Sequence, residues 1–143
     1  MKKLILLLVL FLESMVFAQS GAKIVFKDTD NTIDYGTVSK DTDDGVRSFE
    51  FTNLGNEPLI ITNVQSSCGC TVPSKPDGPI LPGKTGKITV KYNMNPGVIR
   101  KSITVETNAS NYEGGIVKLT IKGEVIVKNE VSPLEKKKSM LEK

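Results

Sequence analysis

Cys68 and Cys70 are the only cysteines in the chain, and one residue, Gly69, separates them. Two sulfurs at that spacing support several kinds of chemistry. They can close a small disulfide ring, with Gly69 expected to bend the backbone until the Cα atoms approach the roughly 4.4–6.8 Å of a disulfide. They can act as an exchanging dithiol. The pair lacks, however, the Cys-x-x-Cys spacing and the helix N-terminus that lower a thiol pKa in thioredoxin-like motifs. The nearest cations in sequence are Lys75 and Lys84. They can hold a soft ion such as Cu(I), although no methionine, histidine or third cysteine lies close by in sequence, and a four-coordinate zinc site is not available within one chain. Two free thiols with a packing role complete the readings. As a staple the pair is weak, because closing a three-residue loop is worth only about 1.5 kcal/mol before strain is subtracted. A small strained ring is also easily reduced, which suits a labile bond.

Little else in the composition is reactive. The chain has no histidine and no tryptophan. That excludes a Ser-His-Asp triad, a Cys-His pair, an imidazole metal ligand and a histidine general base. Asp28, Asp30, Asn31 and Asp34 form one acidic cluster, and Asp41, Asp43 and Asp44 another. Neither has EF-hand spacing or its closing glutamate, so both read as turns in which Asp and Asn bond their own backbone. Asn108, Ala109 and Ser110 match a glycosylation sequon, a three-residue pattern that recurs by chance. With only Arg47 and Arg100 as arginines, the clustered arginine and interleaved aromatics of a nucleic-acid site are missing. No catalytic residue, resident metal or cofactor is expected, and Cys68 and Cys70 remain as the one disulfide or redox candidate.

The elements that must carry this segment are strands. Val117, Leu119, Ile121, Val125 and Val127 alternate with polar neighbours, and Gly123 takes one inward slot. Ile88, Val90 and Tyr92, then Ile103 and Val105, then Phe49 and Phe51 show the same period of two. Residues 22–26, 33–38 and 59–64 complete seven candidates. Between them, residues 28–31, 41–45, 53–58, 76–79, 82–83 and 95–97 carry the Gly, Pro, Asn and Asp of turns. Seven short strands at roughly ten-residue spacing predict a two-sheet sandwich or a barrel.

The ends differ from the middle. Residues 1–18 read as a secretory signal peptide. Lys2 and Lys3 lead an apolar run from Leu4 to Leu12, and Val16, Phe17 and Ala18 make a cleavage site. Nine apolar residues at about 1.5 Å each are too short for a roughly 30 Å hydrocarbon core. No membrane span is expected after cleavage. Residues 128–143 form a basic tail. Ser132, Pro133 and Glu135 would cap a short helix there, although only Leu134, Met140 and Leu141 offer apolar contacts. The formal charge of +3 resides entirely in these ends, and residues 19–127 are neutral.

Several segments in order carry a resemblance. Asp34, Tyr35 and Gly36 come first, followed by Phe49 and Phe51 leading into Asn53, Leu54 and Gly55, then Glu57, Pro58 and Leu59. Ser66, Ser67, Cys68, Gly69, Cys70 and Thr71 follow, then Ile80, Leu81, Pro82 and Gly83. The strands around Ile88, Ile103 and Leu119 complete the set. This order resembles the bacterial domain-of-unknown-function 1573 family over about residues 33–125. The resemblance implies an all-β, immunoglobulin-like β-sandwich, similar to Hydin-type and pilus-chaperone-type domains, and an export route. It implies no reaction. The expected protein is a non-catalytic binding or assembly module, periplasmic or secreted, whose partner is another protein or an envelope component and not a nucleic acid. Such folds bind by adding a partner strand to a sheet edge or through end loops. The alternative is thiol-disulfide exchange or Cu(I) handling at Cys68 and Cys70.

Overall fold

Alternating apolar residues build eight strands in the computed structural model, which describes residues 20–127. They are β1 (Ile24–Phe26), β2 (Thr32–Ser39), β3 (Val46–Asn53), β4 (Ile61–Ser66), β5 (Thr71–Ser74), β6 (Thr85–Tyr92), β7 (Gly97–Thr107) and β8 (Ile116–Ile126). A 3₁₀ turn, Glu113–Gly115, precedes β8. The expected signal peptide and basic tail lie outside the described residues.

The strands form two four-stranded sheets, ordered β1-β3-β6-β5 and β2-β8-β7-β4. The molecule is thus an all-β sandwich. Every pairing is antiparallel except β2 with β8, which is parallel. Consecutive strands β1 and β2 sit at the edges of different sheets, and so do β4 and β5. The chain therefore turns from one sheet to the other at residues 27–31 and again at residues 67–70.

Phe49, Phe51, Ile88, Val90 and Tyr92 project inward from the first sheet. Ile103, Val105, Val117, Leu119, Ile121 and Val125 meet them from the second, all buried. Removing each such side chain from water contributes roughly 1.5–3 kcal/mol. Phe26 stands edge-on to Phe49, with ring centroids 6.5 Å apart, and tilts against Phe51 at 5.7 Å. Leu59 is fully buried but precedes β4, in an isolated bridge to Ile80.

Two expectations change. An eighth strand, β5, exists where the sequence pattern offered no strand candidate. Pro73 lies within it and is tolerated because β5 is an edge strand, where a missing N–H breaks no ladder bond. Val127, expected to face inward, is exposed, because β8 ends at Ile126 and leaves the last alternating residue beyond the sheet.

Candidate functional site

Cys68 and Cys70 sit in the crossing from β4 to β5 and are joined as a disulfide, with their Cα atoms 5.3 Å apart. Both are half-buried, and Cys70 packs against the core. The backbone of the crossing is held on both sides. Ser67 N–H donates to the Ser102 carbonyl at 2.9 Å, and Asn93 N–H donates to the Cys70 carbonyl at 3.0 Å. Cys68 N–H bonds Ser66 Oγ at 3.3 Å. Behind the pair lies Thr71, a buried polar residue whose Oγ1 is 3.7 Å from Cys68 Sγ and 3.9 Å from Cys70 Sγ. Gly69 does not play the part expected of it. Its φ is not positive, and a Cβ there would meet open space. The corner thus accepts other residues at this position. Thr71 escaped the sequence reading because a threonine at a strand start is ordinary; its placement behind both sulfurs needs the sheet crossing.

The acidic clusters bond their own backbone. Asp30 Oδ1 accepts from Thr32 N–H at 3.2 Å, Asp34 Oδ1 from Gly36 N–H at 2.8 Å, and Asp44 Oδ1 from Val46 N–H at 2.9 Å. Asp43 takes the Gly45 N–H at 2.8 Å and both arms of the Arg47 guanidinium, at 3.1 and 2.6 Å. That guanidinium, together with the Gly45 N–H, holds the Asp43 carboxyl below its ordinary value, and the carboxylate holds Arg47 above its own. Arg47 also lies 4.3 Å over the Tyr35 ring, a cation–π contact. The Tyr35 hydroxyl donates to the Gly45 carbonyl at 2.8 Å. This cluster pins the 39–46 turn to β2.

Burial pushes the Tyr35 phenol up from 10 to about 12, against the opposing pull of Arg47. A raised folded-state value means stability that is complete below pH 10 and lost as pH rises from there through about 12. An ultraviolet pH titration should therefore show one of the three tyrosines ionising near pH 12. That late step should vanish in Tyr35→Phe. A late step that survives the substitution would assign the shift to another tyrosine.

The sequon residue Asn108 is committed to the fold. Its Oδ1 accepts from Ile60 N–H at 2.8 Å, and its Nδ2 donates to the Pro58 carbonyl at 3.0 Å.

All four sheet edges are protected against strand addition. The outward N–H and C=O of Ile24 in β1 are taken by the side-chain amide of Asn111, at 3.0 and 2.8 Å. β2 is interrupted by a bulge between Asp34 and Thr37, where Gly36 has φ +63. β4 is irregular between Ile61 and Asn63, and the Ile61 carbonyl accepts from Lys75 Nζ at 3.4 Å. β5 is short and contains Pro73. The open surface lies instead on the outer face of β1, β3 and β6. A groove of about 660 Å³ there is lined by Val25, Glu50, Thr52, Leu54, Thr85 and Lys87 among others. Leu54 is 62% exposed and Val25 42%. Lys27 pairs with Glu50 at 3.1 Å across one wall. Lys87 stands opposite Glu50 in the β3–β6 register, and Lys91 opposite Val46. Sequence reasoning missed this surface because Glu50 and Lys87 become neighbours only through strand pairing.

Comparison with known proteins agrees with this architecture. A chain of unknown function from Porphyromonas gingivalis superposes with a TM-score of 0.61 and 17% identity. The match covers 78% of the present chain and 50% of that one, so the present chain spans about half of its length. The PapD-like domain 7 of human CEP192 superposes with a TM-score of 0.54 and 12% identity, over 75% of this chain and 87% of that domain. At such identities the likeness establishes the fold alone. No curated protein matches the chain. The family model described as a protein of unknown function, DUF1573, matches residues 25–125. That match takes in both sheets, the disulfide corner and the groove, and the chain belongs to this family.

Proposed function

We propose that the domain is an exported, non-catalytic binding or assembly module. Its contact surface is the groove on the outer face of β1, β3 and β6, and its partner is a protein that presents an acidic segment carrying an apolar side chain. The observation that carries this reading is the contrast between sealed edges and an open face. Ladder groups at the edges are covered or interrupted, whereas Val25 and Leu54 leave apolar area in water inside a concave surface. Concave, mainly apolar sites with a few placed polar groups are the usual form of binding sites. The chemistry of the partner follows from charge. On this outer face Lys27, Lys87 and Lys91 stand against a single acid, Glu50. The basic side chains would pair with carboxylates around an apolar anchor. Export rests on the N-terminal pattern and on a disulfide, which persists in oxidising compartments.

The test places a photo-crosslinking residue at Thr52 in the groove, and at Thr104 on the other sheet as a control, in cells that make the full chain. One defined adduct from Thr52, lost when Lys87→Glu is added and absent from Thr104, is expected. Equal adducts from both positions, or insensitivity to Lys87→Glu, would overturn the groove as the contact surface. Fractionation of the same cells checks the compartment.

A further inference from the structure

We infer that the Cys68–Cys70 disulfide is a thiol-disulfide exchange site, with Cys68 as the attacked sulfur and Cys70 as the leaving sulfur, and with the buried hydroxyl of Thr71 within reach of both. The inference stands apart from the groove, which is lined by β1, β3 and the start of β6, whereas the disulfide precedes β5, beside the end of β6.

Three observations carry it. The first is that the bond is not needed to hold the corner. Ser67 is tied to β7 through Ser102, Cys70 is tied to Asn93, and β5 is paired along its length with β6. A three-residue ring adds only about 1.5 kcal/mol to these constraints. Both redox states therefore fit one backbone, and opening the bond does not require unfolding. The second is asymmetry. Cys70 packs against the hydrophobic core, while Cys68 is half-exposed without being part of that packing. An incoming nucleophile therefore meets Cys68 first.

The third is Thr71. The residue is 3% exposed, and among the described residues its hydroxyl has no hydrogen-bond partner other than the two sulfurs. A neutral disulfide is a poor acceptor. A thiolate accepts the same hydroxyl as a charge-assisted bond. The buried donor is thus matched better to the open state than to the closed one. It lies within reach of both sulfurs, at 3.7 and 3.9 Å, so it favours a thiolate on either and speeds opening of the bond; the direction of attack comes from the packing of Cys70.

The co-reactant is a dithiol reductant in the exported compartment. One of its thiols, as thiolate, attacks Cys68 Sγ. The Cys68–Cys70 bond breaks, a mixed disulfide forms on Cys68, and the electron pair of the broken bond leaves on Cys70 Sγ, still within reach of Thr71 Oγ1. The reductant's second thiolate then attacks its own sulfur in the mixed disulfide and releases Cys68 as a thiolate. Two electrons pass to the protein, the two thiol protons end on Cys68 and Cys70, and the reductant becomes a cyclic disulfide. The reverse sequence oxidises an incoming dithiol.

The experiment treats the folded protein with dithiothreitol, or with glutathione as a one-thiol probe, quenches with an alkylating agent and reads the products by mass. Opening at low millimolar dithiothreitol with an unchanged near-ultraviolet spectrum is expected, as is a glutathione adduct on Cys68 with Cys70 alkylated. Thr71→Val should slow opening by about tenfold, the effect of losing one hydrogen bond to a charged group. Thr71→Ser should keep the wild-type rate. An adduct on Cys70, opening that occurs only at denaturant concentrations that unfold the protein, or a wild-type rate in Thr71→Val would each overturn the inference. The first two outcomes are read on the wild type, so they decide the matter even where a Thr71 variant does not fold.

Discussion

Asn53→Ala is expected to destabilise the domain by about 3–5 kcal/mol, the largest loss from any single polar side chain among the described residues. Asn53 ends β3 and is fully buried. Its amide makes four hydrogen bonds. Oδ1 accepts from Lys23 N–H at 3.2 Å and from Gly55 N–H at 2.9 Å. Nδ2 donates to the Glu57 carbonyl at 2.7 Å and the Ile80 carbonyl at 2.8 Å. One side chain therefore ties together the start of β1, the 53–58 turn and the loop leading to β6. Alanine would leave the Lys23 and Gly55 N–H groups and the Glu57 carbonyl without their partner, while the Ile80 carbonyl would keep the Leu59 N–H at 2.9 Å, and each group left unpaired costs about 1–3 kcal/mol. Partial relaxation of the loops keeps the sum below the naive total. For a domain of this size the melting temperature should fall by roughly 12 °C or more. Asn53→Asp should come close to the alanine variant, because it keeps both acceptor contacts but turns a carboxylate oxygen toward two carbonyls. Urea unfolding of the three proteins decides the matter. A loss under 1 kcal/mol in Asn53→Ala would show that water enters and replaces the amide.

Asn53 also shows where sequence reasoning stops. It reads as the first residue of a turn, which is what its type and its neighbours Gly55 and Pro58 indicate locally. That it is a buried hub depends on Ile80 lying beside Glu57, and nothing within a local window reports that. The inward faces of β3, β6, β7 and β8 were legible because alternation with period two is a local signal. Phe49, Phe51, Ile88, Val90, Tyr92, Ile103, Val105, Val117, Leu119, Ile121 and Val125 all lie inside as the pattern required. The number and spacing of those segments left a two-sheet sandwich or a barrel, and the family resemblance implied the sandwich. The parallel pairing of β2 with β8 did not, since parallel register is set by topology and not by any turn. β5 was hidden by Pro73, a residue that argues against a strand unless the strand is known to be an edge.

The candidate site divides in the same way. Cys68 and Cys70 stand out by residue type alone, since they are the only soft nucleophiles in a chain without histidine. The packing of Cys70 against the core, which gives the pair a direction, and the Thr71 hydroxyl behind both sulfurs arise from the turn between sheets. The acidic clusters are the converse case. Their chemistry is local Asx bonding, and it was readable from spacing because donor and acceptor lie two residues apart. What local spacing could not supply was Arg47, which takes the remaining capacity of Asp43 while stacking on Tyr35.

Gly123→Ala is expected to cost about 2–4 kcal/mol, a large effect for adding one methyl group. Alternation along β8 assigns Gly123 an inward slot where a Val or Ile would be the natural occupant. Tyr35 explains the glycine. A Cβ at residue 123 would stand 2.8 Å from both the Gly36 carbonyl oxygen and the Tyr35 Cβ. Neither atom is the free end of a flexible side chain, so the crowding has no rotamer escape and the β2 bulge must shift. Gly123 also has φ +147, a conformation that alanine adopts only with strain. The displaced segment carries Tyr35, and with it the ring under Arg47 and the hydroxyl bound to Gly45. The variant should therefore lose the late tyrosine ionisation along with its stability, a coupled signature that a simple cavity or surface change would not produce. Gly69→Ala is the matching control. Its backbone is ordinary and the space beside it open, so its stability should stay within about 0.5 kcal/mol of the wild type or rise slightly. Equal effects at the two positions would mean that backbone entropy, and not the close approach of β2 to β8, accounts for the glycine at 123.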